Sequence, residues 1–167
     1  MKLLPTFSAL LICMNLFSFA YGQDLFGTGA RNQSLGDASS ALSGCWSVFG
    51  NQAGLAAIRR PALSGSFQNR FLVKELSSRS VSFVFPVQSS VFAFSYSQFG
   101  QVPFRQEKMG IAYARAITSH IRFGVQFNRY NLYLAEENHS VDSYGLEIGM
   151  QYTFESHLIL GAHILNP

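Results

Sequence analysis

The sequence predicts an all-β chain: an antiparallel, up-and-down transmembrane β-barrel of about seven strands with an N-terminal plug of small residues. Three observations lead there. Apolar residues make up 48% of the 167 residues while charged residues are only 13%, about half the share of an ordinary soluble domain, ~25%. Aromatics reach 14%, with 16 Phe and 7 Tyr but one Trp. From about residue 80 onward, large apolar residues recur at every second position, the period of a strand rather than of a helix.

Residues 1–22 read as a secretory signal peptide. Lys2 begins it, an apolar stretch follows, and Ala20-Tyr21-Gly22 puts small residues at −3 and −1 before a cut at Gln23. Pro5 and Asn15 interrupt the apolar run, which is short of the ~20 residues of a membrane anchor. Cleavage removes Cys13 and leaves Cys45 alone, so the mature chain has no intrachain disulfide.

Residues 23–60 do not alternate. They form a lead-in segment rich in Gly, Ala and Ser, residues that permit tight turns and close backbone approach. Gly27-Thr28-Gly29 follows no strand and precedes no Lys, so it lacks the context of a phosphate-binding loop.

Residues 61–167 are read as barrel strands. A first, weaker strand covers about 63–71. Val81, Phe83, Phe85 and Val87 alternate with polar or small residues, and a short Gln88-Ser89-Ser90 link leads to Phe92, Phe94 and Tyr96. Met109, Ile111 and Tyr113 follow, then Ile121, Phe123, Val125 and Phe127, then alternate positions from Tyr144 to Phe154, then Leu158 to Ile164. One face of each strand is large and apolar; the other is small or polar and nearly uncharged. A soluble sandwich would turn the apolar face inward, whereas a membrane barrel turns it to lipid. The scarcity of charge, the strand lengths of about 9–11 residues and the aromatics near strand ends favour the barrel. Links at 87–90, 117–120 and 155–157 are expected to be short, those at 100–108 and 132–142 long, as in barrels with short periplasmic turns and longer outer loops.

By parity, Arg122, Gln126, Glu147, Gln151 and His163 face the lumen, with Glu147 and His163 near one another. An Arg in place of Val125 is expected to damage the barrel and one in place of Gln126 to be much milder. The few basic residues form no stripe, which argues against nucleic acid as a partner. No His, Cys or carboxylate set has the spacing of a compact metal site, and no Ser, His and acid constellation stands out; neither cofactor nor catalytic residue is expected.

The segment before the strands resembles the opening of the PorV/PorQ-like outer-membrane proteins, relatives of the FadL-type transporters. The matching residues are Gly29-Ala30-Arg31, the stretch around Gly36, Trp46, and Asn51-Gln52-Ala53-Gly54-Leu55. Gln52 stands where proline is usual in that family. The resemblance implies a bacterial outer-membrane location, a plug formed by the segment, and an accessory role in type IX secretion and surface attachment, with secretion components or cargo as partners. A channel for a hydrophobic ligand or an outer-membrane hydrolase are the alternatives. A seven-stranded barrel has an odd strand number, so the strand set is expected to be incomplete and to lack C-terminal strands.

Overall fold

The computed structural model describes residues 29–69, 71–135, 139–154 and 158–166. The expected signal peptide, the rest of the segment's opening at 23–28, and the charged loop residues Glu136 and Glu137 lie outside these residues.

Seven strands follow one another: β1 Ala62–Asn69, β2 Ser77–Val87, β3 Ser90–Gln101, β4 Phe104–Ala116, β5 Ile121–Leu134, β6 His139–Phe154 and β7 Leu158–Leu165. They form one sheet in the order β1-β2-β3-β4-β5-β6-β7, each pair antiparallel. The sheet curls into a half-barrel. Among the described residues no ladder joins β1 to β7. Before the strands come a short helix, α1 Ala30–Ser34, and two 3₁₀ helices, Cys45–Phe49 and Gln52–Ala57.

The strands are longer than hydrophobic periodicity indicates, and this overturns the expected link lengths. The supposed long link at 100–108 is a two-residue turn at Val102 and Pro103, and the link near 132–142 shrinks because β5 runs to Leu134 and β6 starts at His139. The reason is that alternation continues in polar residues. Arg79, Gln98, Glu107, Asn131 and Asp142 stand in direct register across β2 to β6. They complete the ladder but carry no apolar signature. The longest link is instead 70–76, between β1 and β2.

Parity sorts the two faces. Val81, Phe83, Phe85, Phe92, Phe94, Ile111, Phe127, Leu146 and Met150 are exposed on one face; Ser80, Ser82, Ser95, Ser97, Gln126, Asn128, Glu147 and Gln151 are buried on the other. Burial therefore runs opposite to that of a soluble sandwich. The buried face is covered by the lead-in segment. Val48, Phe49, Leu55 and Ala56 pack with Val84, Val91, Ala93, Ala112 and Ala114 into a small apolar core, where alanines on β3 and β4 leave room for the larger side chains of the segment. Trp46 stacks beside Phe49, ring centroids 5.8 Å apart.

Over β5 and β6 the segment comes closer still. Gly124 and Gly149 are opposite each other in the ladder. A Cβ on Gly124 would stand 2.5 Å from the carbonyl carbon of Gln52 and 2.6 Å from the nitrogen of Ala53, and one on Gly149 would collide with Asn51 Oδ1. The backbone of residues 51–53 thus lies directly on sheet backbone, which only glycine permits. Gly124→Ala should lift the segment from the sheet and destabilise the chain by about 1–3 kcal/mol, the usual range for overpacking. Limited proteolysis checks it: cleavage within 29–57 should become faster than in the parent chain, while the strands keep their resistance.

Candidate functional site

The inner face holds two polar clusters, one centred on Asn51 of the lead-in segment and one on Glu147 of β6. The first anchors the segment. Asn51 is fully buried. Its Nδ2 donates to the carbonyls of Ser40 at 2.7 Å, Met150 at 3.0 Å and Ala162 at 3.1 Å, and its Oδ1 accepts from the Ala53 amide at 3.1 Å. The same residue is therefore the N-cap of a 3₁₀ helix and a bridge across the seam where β6 pairs with β7, since Met150 and Ala162 are register partners. Gln151 Nε2 donates to the Ser40 and Leu42 carbonyls at 3.0 and 2.9 Å, and Arg122 Nη1 donates to Ser43 Oγ at 3.2 Å. These contacts satisfy loop carbonyls that would otherwise be buried without donors.

The second cluster surrounds Glu147, which is 1% exposed. Its Oε1 accepts from Lys108 Nζ at 2.9 Å and from Asn128 Nδ2 at 2.7 Å. Its Oε2 accepts from Gln52 Nε2 at 2.5 Å and lies 3.0 Å from His163 Nε2. Gln126 Nε2 donates to Asn128 Oδ1 at 2.6 Å, and Lys108 Nζ stands 5.4 Å from the centre of the Tyr130 ring, within cation–π range. The ion pair compensates two charges that could not be buried singly. Beside it, Ser80 and Ser97 share a hydroxyl–hydroxyl contact of 2.7 Å.

Glu147 and His163 are thus in contact, but the carboxylate is held by four side chains at once. Both of its oxygens are engaged in fixing position and charge. Among the described residues no group of three His, Cys, Asp or Glu could hold a metal ion.

The expected mildness of an Arg at Gln126 is corrected. Gln126 is 0% exposed, and its amide fills the space over Gly110, close to the Lys108–Glu147 pair. The inner face is occupied by protein here, so a second cation would be buried without a partner.

The motif residues divide. Asn51, Ala53 and Leu55 are buried against the sheet, Gly54 is buried against Leu42 and Ser47 of the segment itself, and Trp46 packs on the core, near Gly29. Ala30, Arg31 and Gly36 are exposed and contribute to neither cluster. Lys108, Asn128 and Gln52 are the cluster members that sequence reasoning passed over. Extending the parity of Ala112 and Ala114 back to Lys108, and of Arg122 and Gln126 on to Asn128, finds the first two. Gln52 supplies a side-chain donor to Glu147 from outside the strands, where parity gives no signal.

At the end of the sheet that carries the 70–76 link and the Val102–Pro103 turn, Phe71, Glu75, Leu76, Phe99, Pro103 and Phe104 line a cavity of about 580 Å³. Phe99 is buried and points to the inner face, so this largely aromatic cavity lies at one mouth of the half-barrel.

No family model matches this chain, and neither a curated protein nor a solved structure is similar to it.

Removing one member of the buried pair should cost far more than removing both. Lys108→Met is expected to destabilise the chain by roughly 3–5 kcal/mol by leaving the buried Glu147 without its lysine, and Lys108→Met combined with Glu147→Gln should recover most of that loss. Denaturant unfolding of the two variants against the parent chain measures the difference.

Proposed function

We propose that this chain forms the wall and plug of a bacterial outer-membrane β-barrel. The observation that carries the reading is the inversion of polarity: the face left uncovered is apolar and the face buried by the chain is polar. On β6 the outward residues from Tyr144 to Phe154 are apolar or aromatic, a run that measures roughly 27 Å of height at a strand tilt of about 40°. That suits the hydrocarbon core, and the row Arg79, Gln98, Glu107, Asn131 and Asp142 would mark its polar border. Residues 29–57 then act as the plug, fixed by Asn51, Gln151, Arg122 and the Glu147 cluster.

In a membrane the free edges need partners, because an unpaired backbone group in lipid costs several kcal/mol. Strands β1 and β7 run in the same direction, so all-antiparallel closure takes an odd number of further strands. A second copy of the same seven would leave two parallel seams.

The role follows from the PorV/PorQ resemblance: a non-enzymatic accessory of type IX secretion and surface attachment, with secreted cargo or secretion components as partners. The block Asn51 to Leu55 that carries the resemblance is also the block that meets the sheet. A second reading, a FadL-like channel for a hydrophobic ligand, is favoured by the aromatic cavity at the mouth. Deleting the gene and scoring both surface-protein retention and uptake of hydrophobic compounds separates them. Loss of surface proteins with normal uptake supports the first; the reverse supports the second.

The membrane placement has its own test. Ile111 is 65% exposed on the outer face. Ile111→Arg should reduce stability in a bilayer by about 2–4 kcal/mol, read by folding titrations into vesicles. In a water-soluble fold the same change at an exposed position would be nearly neutral, and that result would remove the chain from the membrane.

A further inference from the structure

We propose that Arg115, Tyr113 and Ser90 form a headgroup site for an anionic phospholipid on the outer wall, at the end of the sheet that carries the Gln88–Ser89 turn. This rests on the membrane reading above and adds a specific ligand to it. Ser90 and Arg115 are direct register partners across β3 and β4. Ser90 Oγ and the Tyr113 hydroxyl are 3.0 Å apart, and Arg115 follows Tyr113 by two residues on the same face of β4. Three hydrogen-bonding groups, one of them cationic, thus stand together on the outward face, next to the turn at Gln88 and Ser89.

The charge at this place is not balanced as it is elsewhere on the wall. At the opposite end Arg105 is paired with Glu107 at 3.4 Å and Arg129 with Asp142 at 2.9 Å. Among the described residues no carboxylate pairs with Arg115, which is exposed. A guanidinium matches the paired oxygens of a phosphate, and hydroxyl donors strengthen the match. The rest of the site is apolar. The Phe92 ring meets Tyr113 edge-on at 5.3 Å, and Phe85, Val87 and Phe92 are exposed around it. A free phosphate would leave those rings in contact with water. A phospholipid covers them with its acyl chains while its phosphate reaches Arg115, which commits the site to a lipid headgroup. Arg59 and Arg60 are exposed just before β1, toward the same end. They add a general attraction to an anionic leaflet without belonging to the cluster.

The test uses the full chain folded into phosphatidylcholine vesicles with and without phosphatidylglycerol, followed by native mass spectrometry of the lipid retained after extraction. The parent chain should retain phosphatidylglycerol in preference to phosphatidylcholine. Arg115→Gln should weaken that retention about tenfold, the loss of one charge-assisted contact. Tyr113→Phe should weaken it less, and Arg115→Lys should fall between Arg115→Gln and the parent. Arg59→Gln with Arg60→Gln should leave it unchanged. Inorganic phosphate should not displace the lipid. Equal retention by the parent, Arg115→Lys and Tyr113→Phe overturns the site even if Arg115→Gln does not fold. So does displacement by inorganic phosphate as effective as by short-chain phosphatidylglycerol. Insertion into both kinds of vesicle with no lipid preference removes the headgroup site and keeps the membrane reading. Failure to enter either kind removes both.

Discussion

The close approach of the Asn51–Ala53 backbone to the sheet is the constraint on which the rest of this structure depends. Two glycines opposite each other on β5 and β6 make a trough with no side chains in it. The segment can lie in that trough only if its own polar groups find partners there. Asn51 provides them, because one amide side chain both caps a 3₁₀ helix and binds carbonyls of β6 and β7. With that residue seated, Leu55 and Ala56 fall on the alanine-lined part of the sheet, and Val48 and Phe49 complete the core. The apolar core is small. Much of the segment's attachment is polar, which suits a sheet face made of Ser, Gly, Gln and Asn.

The Glu147 cluster belongs to the same arrangement. A buried ion pair is weak evidence for stability, since desolvation of both charges opposes their attraction. Its effect here is geometric. Lys108 comes from β4, Asn128 from β5, Glu147 from β6, His163 from β7 and Gln52 from the segment, so one carboxylate ties four strands to the chain that covers them. A different register of the segment would separate Gln52 from Glu147 and leave the carboxylate with fewer donors. Polar contacts of this kind select one position where small apolar residues alone would permit sliding.

The outer face obeys different rules. Its aromatics and aliphatics are not packed against the chain, and in water they would form an apolar patch far larger than a few hundred Å², beyond what soluble monomers expose. The charged residues that do occur outside stand at its margins. Arg105 and Arg129 carry their own carboxylates, whereas among the described residues no carboxylate pairs with Arg115. That contrast between the two ends of one wall distinguishes a margin that is self-neutralised from one that presents unbalanced positive charge.

The sequence by itself determined the class of fold and the sorting of its faces. Period-two alternation of Phe, Val, Ile and Tyr against Ser, Gly and Gln does not suit a helix, and it separates a large apolar face from a small or polar one. Parity alone put Arg122, Gln126, Glu147, Gln151 and His163 on one side, because a strand allows two orientations only. The strand ends were not legible, since Arg105, Glu107, Asn131 and Asp142 pair in the ladder through backbone groups that leave no hydrophobic signature. Nor was the filling of the inner face. That Gln126 is sealed from solvent, that Gly124 and Gly149 form a trough and that Gln52 reaches Glu147 all depend on contacts between residues some 70 to 100 positions apart. Such contacts exist only once the sheet has curled and the segment has settled on it, so only the tertiary structure decided them.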